Sequence, residues 1–114
     1  MISPSSAVAG PPTVSVIICV YTELRWDDIV AAVRSIAEQD APALETIGVV
    51  DHNPALLERV KAAFDGVVVG ENTEARGLSG ARNCGVALAR GDIVAFLDDD
   101  AWAEPDWLRR IARR

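Results

Sequence analysis

Five apolar residues, 93–97, run directly into three consecutive carboxylates, Asp98, Asp99 and Asp100, and this junction limits the folds open to the chain. An uninterrupted apolar run of that length suits a strand buried on both faces of a parallel sheet. Adjacent like charges repel, a strain relieved when a cation or a basic partner arrives. Magnesium or manganese suits the place, because magnesium takes oxygen ligands and is held by one or two carboxylates together with substrate phosphates. In open α/β sheets ligands collect at the carboxyl ends of the strands, which is where the triplet would stand. A solvated acidic turn opening a helix is the alternative, since acids are favoured at helix N-termini.

The remaining sequence alternates strand and helix patterns. Residues 14–20 are apolar and rich in β-branched side chains, which predicts a central strand. From Asp27 the apolar residues Ile29, Val30, Val33, Ile36 and Ala37 fall at helical spacing, and Asp40, Ala41 and Pro42 close that helix. Residues 46–50 read as the second strand, followed by Asn53 as N-cap and Pro54 at the first helical position. Leu56, Leu57, Val60, Ala63 and Phe64 then share one helical face. Gly66 introduces a short third strand over 67–69, and a polar loop occupies 70–80. A helix over 79–90 would end at Gly91 as its C′ residue, and Glu104, Pro105 and Asp106 would open a last helix with Pro105 in its first turn. Such alternation predicts βαβ units: a mostly parallel sheet of order 3-2-1-4 with helices on both faces and a crevice between strands one and four.

Composition narrows the class further. A chain of 114 residues is one domain, and a net charge of -6 disfavours general nucleic-acid binding. The arginines that close the chain, Arg109, Arg110, Arg113 and Arg114, read as a solvated helix end. Residues 1–12 hold Ser, Pro and Gly without a basic segment, as in a flexible leader and unlike a secretion signal. No stretch approaches the roughly 18 apolar residues of a membrane span. Cys19 and Cys84 are too few for a disulfide scaffold, and we read them as buried free thiols of a cytoplasmic chain. Neither Gly-x-Gly-x-x-Gly nor a Walker motif is present, so phosphates would have to be held in another way.

Four ordered blocks carry a family resemblance: Val14-Ser15-Val16-Ile17-Ile18; Val49-Val50-Asp51; Gly77-Leu78-Ser79-Gly80-Ala81-Arg82-Asn83-Cys84-Gly85; and Gly91-Asp92-Ile93-Val94-Ala95-Phe96-Leu97-Asp98-Asp99-Asp100. Together they resemble family 2 glycosyltransferases of the GT-A fold. The resemblance implies a Rossmann-like nucleotide-binding half over 13–114 and inverting transfer of a sugar from a nucleotide-diphosphate donor to an acceptor hydroxyl. It matches the triplet to the family's Asp-x-Asp motif, with Asp100 and Asp98 as ligands of Mg2+ or Mn2+, and Asp98 or Asp99 bonding ribose or metal-bound water. It places Tyr21, Thr22, Asp51 and His52 around the nucleoside, and Arg82, expected in the first turn of its helix, near a ligand phosphate or a carboxylate. This chain departs from the family at Cys19, where Pro is common, at Thr22, where Asn is common, and at His52, where many members carry a second acid. The catalytic base and the acceptor half would lie beyond Arg114, so the chain is expected to bind donor weakly, to transfer nothing alone and to self-associate. Two alternatives stay open. A sugar-phosphate nucleotidyltransferase would want a glycine-rich basic loop where Tyr21, Thr22, Glu23 and Leu24 stand. A receiver-type module would want a late lysine, and the single lysine is Lys61.

Overall fold

A computed structural model describes residues 10–113, so the leader expected over 1–12 falls largely outside the described residues, as does Arg114. In chain order the elements are β1 (Val14–Val20), a 3-10 turn (Glu23–Arg25), α1 (Trp26–Ala37), β2 (Glu45–Val50), α2 (Pro54–Ala63), β3 (Val68–Glu71), α3 (Leu78–Leu88), β4 (Ile93–Phe96) and α4 (Trp107–Ala112). The four strands form one sheet of order β3-β2-β1-β4, parallel throughout, as the alternation predicts.

β1 is central, and its alternating side chains serve two cores. Val14, Val16, Ile18 and Val20 face a cluster with Ile29 and Ile36 of α1, Leu56 and Val60 of α2, and Leu108 of α4. Ile17 faces the other way, where Ile47 and Val49 of β2 meet Ala81 of α3. Helices thus cover both faces, so central β1 is buried along nearly its whole length, whereas β4 stands at an edge of the sheet and leaves Phe96 exposed, unlike the strand buried on both faces that its apolar run suggests.

The element ends are set by contacts that local sequence does not announce. β3 lies at 68–71, not 67–69, because its register opposite β2 runs on to Val50 paired with Glu71. Gly70 belongs in that ladder because Leu88 of α3 passes so close that a Cβ would stand 2.6 Å from its Cδ1. α3 stops at Leu88, short of Gly91, because the next amides are drawn elsewhere. Arg90 N donates to Glu45 Oε2 at 2.7 Å and Gly91 N to Ser15 Oγ at 2.9 Å. α4 begins at Trp107, after Pro105, because the C-terminal end of α1 grips the segment before it. Gln39 Nε2 donates to Glu104 O, Asp40 N to Pro105 O, and Leu108 N to Gln39 Oε1 at 2.9 Å, so a side chain just past the end of α1 caps α4. Ala63 closes α2 in solvent, off the buried face formed by Leu56, Leu57 and Val60. Asn53 does cap α2, accepting from Leu56 N at 3.0 Å, with Pro54 following. At the chain's end Arg109 pairs with Asp40 at 2.9 Å and Arg110 with Asp106 at 3.1 Å, consistent with a solvated helix end.

Candidate functional site

The sheet order reverses between β1 and β4, and a cavity of about 490 Å³ opens there at the carboxyl rim. Ladder hydrogen bonds carry the chain up to this rim from three strands: Asp51 N to Val20 O, Asn72 N to Val50 O, and Leu97 N to Ile17 O. Tyr21, Asp51, Arg82, Asp98, Asp99 and Asp100, all singled out from the sequence, line the cavity together. Thr22 and His52 do not.

The triplet sits in a tight turn, closed by Ala101 N donating to Asp98 O at 3.0 Å. That turn splays the three side chains. Asp98 and Asp100 are exposed, whereas Asp99 is 7% exposed and, among the described residues, its Oδ2 has no hydrogen-bond partner. Burial pushes the Asp99 carboxyl above the ordinary value, with Arg25 opposing the rise and the adjacent acids adding to it. Arg25 NH1 stands 3.4 Å from Asp99 Oδ1 and 3.0 Å from Asp100 Oδ2.

Asp51 is buried at the end of β2, and both its oxygens hold the loop leading into α3. Oδ1 accepts from Asn72 Nδ2 at 2.8 Å, and Oδ2 accepts from Gly77 N at 3.0 Å. Gly77 has φ of 134°, a conformation that side chains rarely adopt, so this approach of loop backbone to carboxylate requires glycine. The result aims the start of α3 into the cavity, where Gly77, Leu78 and Ala81 form part of the wall. Helix N-termini favour negative ligands.

Arg82 lies in the second turn of α3, not the first, because the helix begins at Leu78. Among the described residues it has no carboxylate within ion-pair reach; its guanidinium carbon stands 5.1 Å from the centre of the Phe96 ring. Of the two partners expected for it, a carboxylate is therefore not met among the described residues. Thr22 spends its hydroxyl on capping the 3-10 turn, accepting from Leu24 N at 3.2 Å. His52 adopts φ of 50° and its Nε2 donates to Glu74 O at 2.7 Å, in a neighbouring cavity of about 350 Å³. Since a carbonyl only accepts, that bond leaves Nδ1 as the acceptor of the neutral ring.

Neither cysteine is fully buried, contrary to expectation. Both are free and half-buried: Cys19 faces the cavity from the rim end of β1, and Cys84 lies within reach of Asn72 Oδ1 at 3.6 Å. Burial raises the Cys19 thiol to about 11, against the pull of Arg82.

Two cavity residues were missed from sequence: Arg25 and Arg76. Arg25 follows β1 closely enough to reach the same rim as the triplet, and a lone base in the first loop of such a sheet is the available signal. Arg76 immediately precedes Gly77, and no periodicity marks it. With Arg82, these put three guanidinium groups in one cavity with four carboxylates, Asp51 and the triplet.

No cluster of three His, Cys, Asp or Glu side chains able to hold a metal ion occurs among the described residues. A site offering one or two carboxylates, with a buried unpartnered oxygen behind them, still fits a cation that completes its shell with waters and phosphate oxygens.

Comparison with known proteins places these features in a family context. A family model described as glycosyl transferase family 2 matches residues 15–114. The glucosyl-dolichyl phosphate glucuronosyltransferase of Haloferax volcanii is 42% identical over 101 residues, covering 86% of this chain and 32% of that protein. The succinoglycan biosynthesis protein ExoO of Rhizobium meliloti is 32% identical over 112 residues, covering 95% and 31%. Among solved structures, S. aureus TarS 1-349 in complex with UDP superposes with a TM-score of 0.70 at 25% identity, covering 89% of this chain and 31% of that one. The mannosyltransferase PcManGT from Pyrobaculum calidifontis, in complex with GDP-Man and Mn2+, gives 0.67 at 31% identity, covering 88% and 33%. The chain spans about a third of the length of each of these relatives.

Proposed function

Because this chain belongs to glycosyl transferase family 2, we propose that it forms the donor-binding half of an inverting glycosyltransferase, receiving a nucleotide-diphosphate sugar in the cavity between β1 and β4. One observation carries the proposal: a carboxylate turn with a buried, unpartnered oxygen shares its cavity with arginines and a helix N-terminus. Carboxylates suit a divalent cation, while the arginines and the helix end suit a diphosphate.

In this reading Tyr21 and Asp51 meet the nucleoside. Tyr21 is 53% exposed at the rim and can offer its ring, and Asp51 keeps unused lone pairs after bonding Asn72 and Gly77. Arg82, Arg76 and the first turn of α3 take the phosphates. Asp100 and Asp98 would hold Mg2+ or Mn2+ in the manner of an Asp-x-Asp motif, with Asp99 behind them. When bound, such a cation neutralises charge building on the departing diphosphate. A base for the acceptor hydroxyl is assigned to no residue here and is expected outside this segment.

The two alternatives are not favoured. The loop after β1 is a short 3-10 turn and no glycine-rich cradle, and the family match points away from both. Among the described residues no helix is long and apolar enough to cross a membrane. The free cysteines support the cytoplasmic placement expected from sequence. Calorimetry on two variants tests the assignment: Asp100→Ala is expected to abolish divalent-dependent nucleotide binding, and Asp28→Ala, exposed on α1, to retain it. Unimpaired binding by the Asp100 variant would refute the metal assignment.

A further inference from the structure

We propose that Arg25 is the resident counter-ion of the acidic turn, engaging in the empty protein the Asp100 carboxylate that a divalent cation must take. The inference rests on the metal reading above and adds to it a competitor built into the fold.

One guanidinium nitrogen lies within 3.4 Å of Asp99 and 3.0 Å of Asp100, bridging the carboxylates of two consecutive residues. A cation held by Asp98 and Asp100 would need the Asp100 carboxylate that Arg25 engages, and two positive centres a few ångströms apart repel. Asp99 is nearly enclosed, with Oδ2 unpartnered, so it has little water to fall back on when Arg25 leaves. That makes exchange of one cation for another more favourable than simple release.

Arg25 is also placed to move. Its side chain is 37% exposed and none of the 3-10 turn is buried, so the guanidinium can swing out without opening the core. The turn itself stays anchored, through Leu24 N on Thr22 Oγ1. The ring of Tyr21, whose centre is 5.8 Å from the guanidinium carbon, gives the side chain a surface at the cavity mouth. Released there, it remains in the cavity we assign to the diphosphate.

Binding of Mn2+ alone, without nucleotide, decides the matter when the 114-residue chain is compared with Arg25→Gln and Arg34→Gln by calorimetry. Arg34 is exposed on α1 and does not line the cavity, so its variant controls for a general loss of positive charge. The expected result is Mn2+ binding about two- to ten-fold tighter in Arg25→Gln, the scale of partly exposed ion pairs, with Arg34→Gln close to wild type. Unchanged or weaker binding in Arg25→Gln, or equal tightening in both variants, would overturn the inference and leave the metal site standing. Absence of Mn2+ binding in all three proteins would overturn the metal site and the inference together.

Discussion

Asp99 and Glu45 are both buried acids, and their surroundings pull them in opposite directions. Asp99 has one oxygen without a partner and sits beside two further carboxylates, so its charge is a burden on the empty fold. Asp99→Asn should therefore raise the melting temperature of the metal-free protein by a few degrees while weakening Mn2+-dependent nucleotide binding; a lower melting temperature would show that the Arg25 contact outweighs the burial. Glu45 is fully engaged: Arg90 N and Ser15 Oγ both donate to Oε2 at 2.7 Å, and Arg90 Nε donates to Oε1 at 3.2 Å. These bonds, that of the Arg90 amide foremost, hold its pKa below the ordinary 4.5. A depressed carboxyl stabilises the fold above its unfolded pKa, and that contribution is lost as pH falls through the folded value. Urea denaturation of wild type and Glu45→Gln should accordingly differ most at neutral pH and converge as pH falls below the ordinary 4.5 and through the lower folded value. A gap that persists in acid would contradict this.

Each helix is placed by one or two contacts that tolerate little change. α3 approaches β1 so closely that a Cβ on Gly85 would stand 2.7 Å from Ile17 Cγ2, and Ile17 is fully buried with that methyl fixed on its branched Cβ. Gly85→Ala should cost roughly 1–3 kcal/mol of stability by overpacking, read from denaturant midpoints at unchanged slope. Stability equal to wild type would mean that α3 can shift. Helical spacing and the Asn53-Pro54 pair announced α1 and α2 because those signals are local. The end of α3 and the start of α4 were not announced, because they depend on Glu45, Ser15 and Gln39 reaching across from other elements. The site divides in the same way. Acids ending a buried strand are conspicuous in sequence, but Arg25 joins them from 74 positions away, marked only by being the lone base in the loop after β1.

The sheet order gathers the site. β4 returns beside β1 after β2 and β3 have filled the other side, and the reversal leaves one rim where the ends of β1, β2 and β4 and the start of α3 meet. That order was readable from the strand and helix alternation because parallel connections leave few topologies. The division of labour between Asp98, Asp99 and Asp100 was not, since it depends on which way a turn splays its side chains. The chain spans about a third of its relatives' length, and we assign no base within it, so donor binding and transfer should separate. Incubation with nucleotide sugars and hydroxyl acceptors should yield no glycosylated product by mass spectrometry, because lost base catalysis alone costs about a hundred- to ten-thousand-fold; robust product would place the base within these residues. Calorimetric titration of the chain with UDP and with GDP, each with and without Mn2+, tests the donor site itself. Measurable binding of at least one nucleotide that requires Mn2+ is the predicted result, and binding of neither in its presence, or binding indifferent to the cation, would contradict it.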